Sequence, residues 1–158
     1  MLTVNIEDAT TLLNALRSLQ DYVPPFEIIG GYRLIDNGDR PEATIILGAN
    51  GKEMHEASTG VGPVDALANV LKKSLNPLFP ELVAVRLIDF SSRIFDPHSG
   101  TEARVEVQIT FGNGEQLWTV QAFSENINKA SFLALVDGFE YAILLGTQHP
   151  TRAPHDSQ

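Results

Sequence analysis

The sequence predicts an α+β fold in which a βββα unit occurs twice in tandem, preceded by one N-terminal helix. Two hairpin signals, Asn50-Gly51 and Asn113-Gly114, each lie between two short segments of β type. An apolar stretch with helical spacing follows each hairpin, and the dipeptides Glu42-Ala43 and Glu102-Ala103 open the two middle strands. This repeated order indicates an internal duplication.

The first predicted element is a helix over residues 4–22, in which apolar residues recur at helical spacing and acidic residues occupy the first turn. Pro24-Pro25 ends it, because proline cannot continue a helix. Residues 1–25 are therefore assigned to an N-terminal helix and linker. Because Met1 is followed directly by this helix, we expect a free-standing or deliberately bounded unit.

Repeat one is assigned to residues 26–80. Its helix begins at Pro63, since proline is favoured in a first helical turn, and one apolar stripe runs along it as far as Leu75. Short β-type runs separated by turn residues predict its three strands, at residues 26–35, 43–49 and 52–59.

Repeat two is assigned to residues 81–146, and the polar, proline-bearing tail 147–158 is predicted to be disordered. Its strands are predicted at residues 82–95, 102–111 and 116–123, and its helix at residues 126–145. That helix is apolar nearly all round, which in a soluble protein indicates burial on more than one side. A partner chain is the simplest source of the second side, so we expect a homodimer.

Composition excludes several classes of function. Twenty acidic residues against eleven basic ones, without a basic cluster, argue against nucleic acid as a partner. Cysteine is absent, and the four histidines include no close pair, so we expect no disulfide, no metal and no cofactor. The longest apolar run is interrupted by Asp137 and Glu140, and no leader is recognisable, so we expect a cytoplasmic protein without a membrane partner.

The stretch STGVGPVDALANVL, residues 58–71, joins a glycine turn to a helix start, where free N–H groups and the helix dipole attract anions. A dinucleotide fingerprint is excluded because Asp65 stands at its third glycine position, and the Lys-Ser/Thr pair of a phosphate-binding loop is absent. A single small carboxylate stays compatible with the turn. The alternative is that Gly60 and Gly62 only make a tight connection between strand and helix.

The second strand-to-helix junction, FSENINKAS, is also polar and also begins a helix. Ser124 or Glu125 is predicted to cap that helix, and Asn126 tolerates unusual backbone angles. Two equivalent helix starts in one duplicated fold would form a pair of ends that accept anions.

Four strings carry a resemblance to a known family: GVGPVDALANVLKK, LIDFSSRI, GTEARVEVQI and LWTVQAFSENINKAS. They resemble the C-terminal regulatory domain of 2-isopropylmalate synthase and of citramalate synthase, over residues 26–145. The resemblance implies a duplicated βββα domain that dimerises and binds leucine or isoleucine as a feedback inhibitor.

The two helix starts are our candidates for the effector site. The pocket is expected between the turn at Gly60–Gly62 and the junction at Ser124–Asn126, with backbone N–H groups holding the carboxylate and Asp89 meeting the ammonium. Gly62 is expected to allow close approach of the ligand, because a Cβ there would obstruct the approach and could also penalise a positive φ angle. The expected effector-binding residues are Gly60, Gly62, Pro63, Val64, Asp89, Ala122, Ser124, Asn126 and Ile127.

Part of the family's second-junction pattern is altered in this sequence. Val120 replaces a usual threonine, Ala122 a usual glycine, Phe123 a small aliphatic residue and Asn128 an isoleucine. Where these positions line the pocket, Ala122 and Phe123 make it smaller and Asn128 makes it more polar. An alternative is therefore a dimerisation module of the same fold that has lost effector binding.

No catalytic set of residues is recognisable. The synthases of this family work on a (β/α) barrel, which alone takes about 250 residues, and none of it is present. Asp89 and His55 could serve a small enzyme, but a solvated acid and a strand histidine explain them more simply. We expect no enzyme activity, and a regulatory module that is either cut from a larger synthase or acts on a separate catalytic chain.

Overall fold

The computed structural model describes residues 6–95 and 104–148, and it confirms the duplicated βββα arrangement behind one N-terminal helix. In repeat one, three strands precede a helix. In repeat two the same order returns after a 3₁₀ helix, Pro80–Ala84. The elements are α1 (Ile6–Arg17), β1 (Glu27–Ile35), β2 (Glu42–Ala49), β3 (Lys52–Thr59), α2 (Pro63–Leu75), β4 (Arg86–Phe95), β5 (Arg104–Gly112), β6 (Leu117–Ser124) and α3 (Ile127–Gln148).

Each repeat forms its own antiparallel sheet, in the order β1-β2-β3 and β4-β5-β6. The hairpin signals are confirmed by the backbone: Asn50 and Gly51 have φ angles of 53° and 75°, as a two-residue hairpin turn requires. In the second hairpin Gly114 has a φ of 92°, and the Asn113 side chain accepts the N–H of Gln116 at 2.8 Å. The turn residues thus set the register of both sheets.

The core lies where the two helices meet between the two sheets. Helix α2 packs on β2 and β3, α3 packs on β5 and β6, and the helices contact each other. Aromatic residues fill the repeat-two side. The fully buried Phe111 stacks on Trp118 at 6.0 Å and meets Phe139 edge-on at 5.6 Å, while the Trp118 indole N–H donates to the Gly138 carbonyl at 3.0 Å.

Three predicted boundaries were wrong. The first helix ends at Arg17 instead of residue 22, because its last apolar residue, Leu19, is 54% exposed and finds no core to pack against. The strand predicted from residue 82 begins at Arg86, after the 3₁₀ helix that buries Leu82. Helix α3 continues to Gln148, into the predicted tail, and residues 149–158 lie outside the described residues.

Helix α1 packs on repeat two, although it precedes repeat one in the chain. Its Thr10 hydroxyl accepts the N–H of Gln121 at 3.0 Å, so α1 covers the free edge of β6. Arg17 binds Asp137 at 2.7 Å and Glu140 at 2.9 Å, and the Tyr22 hydroxyl donates to the other oxygen of Glu140. The two acidic residues that interrupt the apolar helix α3 therefore hold α1 in place.

Most of the apolar surface of α3 is covered within the chain, although Ile127 and Leu133 stay exposed. Strands β5 and β6, α2, α1 and the 3₁₀ helix all contact it, so its breadth does not by itself require a partner chain, contrary to our reasoning from the sequence. Ile127–Thr147 has the length and composition of a membrane span, but 61% of an 18-residue stretch within it is buried inside the protein. It is a core helix.

Replacing Asp137 is expected to change how stability depends on pH. Burial raises the pKa of Asp137, and Glu140 adds to the rise, although Arg17 opposes it. The folded state therefore binds this proton more tightly than the unfolded state. The stabilisation that this provides is complete below the ordinary aspartate pKa and is lost as the pH rises through the higher folded value.

Urea unfolding of the wild type and of Asp137→Asn at pH 4 and pH 7 measures this effect. We expect the wild type to lose stability relative to the variant between the two pH values. Asp36→Asn, which changes an exposed acid in the loop after β1, is the control. If the free energies of unfolding of the wild type and Asp137→Asn differ by the same amount at both pH values, the raised pKa of Asp137 does not contribute to stability.

Candidate functional site

The turn between β3 and α2 depends on Gly60. Its N–H donates to the Pro41 carbonyl at 3.1 Å, which fixes the turn at the start of β2. A Cβ at Gly60 would lie 2.8 Å from the Ala66 Cα and closer still to the Ala66 nitrogen. Gly60 therefore allows the turn to lie directly against the first turn of α2.

Gly62 has an extended backbone and open space beside it. Its φ and ψ angles are −135° and 175°, an extended conformation open to any residue, so a positive φ angle does not explain a glycine at this position. A Cβ at Gly62 would have no atom within 4 Å among the described residues. The fold does not need a glycine here, and the space beside it is open.

The first turn of α2 has no side-chain cap at Gly62. Pro63 occupies the first helical position, and the Gly62 carbonyl accepts the N–H of Ala66 at 2.9 Å. The Asp65 carboxylate reaches back to accept the N–H of Val61 at 2.8 Å. This contact was not predicted, although an acidic residue in the third helical position is a recognisable capping signal. The turn thus combines uncapped helical N–H groups with one carboxylate.

A side chain from the junction between β6 and α3 caps the start of α3. The Asn126 Oδ1 atom accepts the N–H of Lys129 at 2.8 Å, so Asn126 is the cap, and the prediction of Ser124 or Glu125 was wrong. The Ser124 hydroxyl donates instead to Glu125 at 3.0 Å. The pKa of the exposed Glu125 is lowered by its own backbone N–H, by Ser124 and by Lys129. The two helix starts are therefore not equivalent as anion sites.

The predicted site residues occupy three places. Gly60, Gly62, Pro63 and the half-buried Val64 form the first junction, and Ser124, Asn126 and the exposed Ile127 form the second. Ala122 is buried on β6, on the same face of the sheet as Ser124. Among residues 6–95 and 104–148, no hydrogen bond, ion pair or ring contact joins the two junctions directly.

Asp89 lies apart from both junctions within one chain. It pairs with Thr110, whose hydroxyl bonds that of Thr119 on the face of the sheet turned away from α3. Ser124 is five positions further along β6 than Thr119, or about 17 Å along the strand. The expected contact of Asp89 with a ligand at Ser124 is therefore not supported.

The start of α3 lies against repeat one instead. The Tyr32 ring of β1 and the Phe132 ring of α3 have centroids 4.8 Å apart. This contact places the start of α3 beside β1, and burial there raises the pKa of Tyr32. Tyr32 was not predicted as a neighbour of the second junction, because no sequence signal pairs a strand of one repeat with the helix of the other.

Among the described residues, His, Asp and Glu side chains form no group of three that could hold a metal ion. His55 is exposed on β3.

Comparison with known proteins identifies the family. Residues 8–143 match the family model described as the LeuA allosteric (dimerisation) domain. The (R)-citramalate synthase of Geobacter sulfurreducens is 38% identical over 133 residues, which are 80% of this chain and 25% of that protein. The (R)-citramalate synthase of Aquifex aeolicus is 36% identical over 75% of this chain and 22% of its own length. The 2-isopropylmalate synthase of Geobacillus is 28% identical over 80% of this chain and 23% of its own length.

The chain spans a quarter or less of these relatives, and the matched part is the regulatory domain whose resemblance the sequence motifs indicated. The family match covers both repeats and most of α1. The chain therefore belongs to the LeuA allosteric (dimerisation) domain family.

Proposed function

We propose that this chain is a cytoplasmic regulatory domain that binds a branched-chain amino acid, leucine or isoleucine, and controls a citramalate or 2-isopropylmalate synthase. The citramalate synthases that it resembles are 38% and 36% identical, against 28% for the 2-isopropylmalate synthase. These values favour isoleucine as the effector. The catalytic barrel would lie in another part of the same synthase or in a separate chain.

The uncapped start of α2 is the observation that carries this proposal. A helix start that no side chain caps leaves N–H groups available to a carboxylate. The open space beside Gly62 allows a ligand to approach the backbone. Val64 is half-buried and Ile127 is 42% exposed, so both have apolar surface available for an aliphatic side chain.

Asp65 favours an amino acid over a simple anion at this turn. Its carboxylate is exposed and lies beside the helix start, where it accepts the Val61 N–H. A second negative charge would be repelled there, whereas a zwitterion brings an ammonium group as well as a carboxylate. Asp65 therefore replaces Asp89 in our proposal as the acid that faces the ligand ammonium.

Thermal unfolding with isoleucine, leucine and valine at millimolar concentration tests the proposal. A specific ligand at 100 times its dissociation constant adds about 2.7 kcal/mol of stability. We expect Gly62→Val to weaken binding by about 1–3 kcal/mol, because its side chain fills the approach to the N–H groups. The variant should fold normally, since the extended backbone and the open space at Gly62 accommodate valine.

Thr59→Val is the matched control, because it adds the same residue type three positions earlier on an exposed strand end. It should bind as the wild type does. If no branched-chain amino acid raises the unfolding temperature, effector binding is excluded. The function would then be dimerisation alone. That alternative is favoured by the Asn126 cap, which occupies the start of α3, and by Phe123, which stands in place of a small aliphatic residue.

A further inference from the structure

Strand β4 is the most exposed element of either sheet. Nine of its ten residues are exposed, and β5 is the strand with which it pairs among the described residues. Helix α3 packs on β5 and β6, which leaves Ile94 73% exposed and Phe90 36% exposed on the inner face of β4. A bulge lies between Leu87 and Asp89, and from Asp89 to Phe95 the strand is regular. It therefore presents a long, straight edge that can accept another strand.

The other three sheet edges are covered or interrupted. Helix α1 covers β6 through the bond between Thr10 and Gln121. On β3, Lys73 and Asn69 of α2 donate to the Ala57 and Thr59 carbonyls, each at 3.0 Å. The edge of β1 is broken by the Gly30-Gly31 bulge, where both φ angles are positive. The exposure of β4 is thus a specific feature of that strand.

The regular part of β4 is complementary to itself. Ser92 is the middle residue of the segment Asp89–Phe95, with Phe90 and Ile94 at equal distances on either side on the inner face. On the outer face, Arg93 uses its Nε to bind Glu106 at 2.8 Å, and its side chain stays 66% exposed. Asp89 lies on the same outer face, four residues earlier. In an antiparallel pair of these segments centred on Ser92, Phe90 lies opposite Ile94, while Asp89 lies opposite Phe95 and has Arg93 as its diagonal neighbour.

We propose that two copies of this chain dimerise through β4, which pairs antiparallel with β4 of the second copy about a two-fold axis at Ser92. Phe90 then lies opposite Ile94 of the second copy, and Asp89 lies diagonally across from its Arg93, within reach of that long side chain. The two sheets of repeat two join into one six-stranded sheet. This inference rests on the family's role in dimerisation and names the surface that performs it.

A single engineered cysteine tests the register, because the chain contains no cysteine of its own. Side chains directly opposite each other in an antiparallel pair have Cβ atoms about 5 Å apart, so Ser92→Cys should cross-link about tenfold faster than a surface control. Ile35→Cys, which is exposed at the end of the equivalent strand β1, is that control. Oxidised glutathione and non-reducing gels at micromolar protein provide the readout, and reduction should restore the single chain.

Sedimentation of Ile94→Lys and Ile35→Lys is the second measurement. Both side chains are exposed in the single chain, so both variants should fold. Ile94→Lys should raise the dimer dissociation constant by about tenfold or more, because it buries an unpaired charge opposite Phe90. Ile35→Lys should leave the constant unchanged.

Two results would overturn the proposal. If the wild-type chain sediments as a monomer, it does not dimerise and the proposal is wrong. A dimer in which Ser92→Cys does not cross-link, or cross-links no faster than Ile35→Cys, removes β4 as its interface. Both results leave the amino-acid effect on thermal unfolding intact, so they are distinguishable from a failure of the proposed regulatory function.

Discussion

Gly60→Ala should lower the free energy of unfolding by about 3 kcal/mol or more, or prevent folding. The added Cβ would overlap the backbone of Ala66, which is itself buried in the first turn of α2. A backbone atom in a packed helix cannot rotate away as a side chain can, so the turn or the helix has to shift. Urea unfolding followed by circular dichroism measures the loss.

Gly62→Ala, two positions further on, is the matched control. Its backbone is extended and its surroundings are open, so we expect a change within about 1 kcal/mol. Equal losses at both positions would show that the turn has another conformation. A tolerated Gly60→Ala would contradict the close contact with α2.

Gly138→Ala should have a comparable effect, because a Cβ there would lie 2.7 Å from Cδ1 of the Phe111 ring and closer to two other ring atoms. Phe111 is fully buried between Trp118 and Phe139 and has no free volume to move into. We expect a loss of about 3 kcal/mol. Trp118, the only tryptophan, donates to the Gly138 carbonyl, so its fluorescence should report the disturbance directly.

Gly146→Ala in the same helix separates packing from helix propensity. The added Cβ would meet the Glu81 carboxylate, the mobile end of a half-buried side chain. Alanine favours a helix over glycine by about 1 kcal/mol, so this variant should be neutral or more stable. A loss at Gly146 as large as that at Gly138 would contradict the explanation from the Phe111 ring.

Local signals predicted the fold because the elements depend on local chemistry. Asn50-Gly51 requires left-handed angles that few residue pairs adopt, and the apolar stripe after Pro63 has a helical period. The docking of α1 on β6 and α3 could not be predicted in the same way. It depends on hydrogen bonds from Arg17 and Tyr22 to acidic residues more than a hundred positions away in the chain, and no local pattern indicates those contacts.

The surroundings of two predicted site residues differ from our expectation for a similar reason. The motif around Gly60 identified the turn, but the packing of Ala66 decides which glycine the fold needs. Asp89 was assigned by its charge, whereas the strand register places it on the opposite face of the sheet from Ser124. Sequence spacing alone does not show which face of a bulged strand a side chain occupies.

The attachment of α1 to α3 has a consequence for the order of folding. The bonds from Arg17 join residues 120 and 123 positions apart, whereas each hairpin joins strands that are neighbours in the chain. Closing so long a loop costs more entropy than closing a hairpin, so α1 should dock last. During synthesis α1 emerges before the rest of this domain, and α3 becomes available to it only when nearly the whole domain has been made. Until then the edge of β6 is as open as that of β4, and a newly made chain has two strands that can pair with the wrong neighbour.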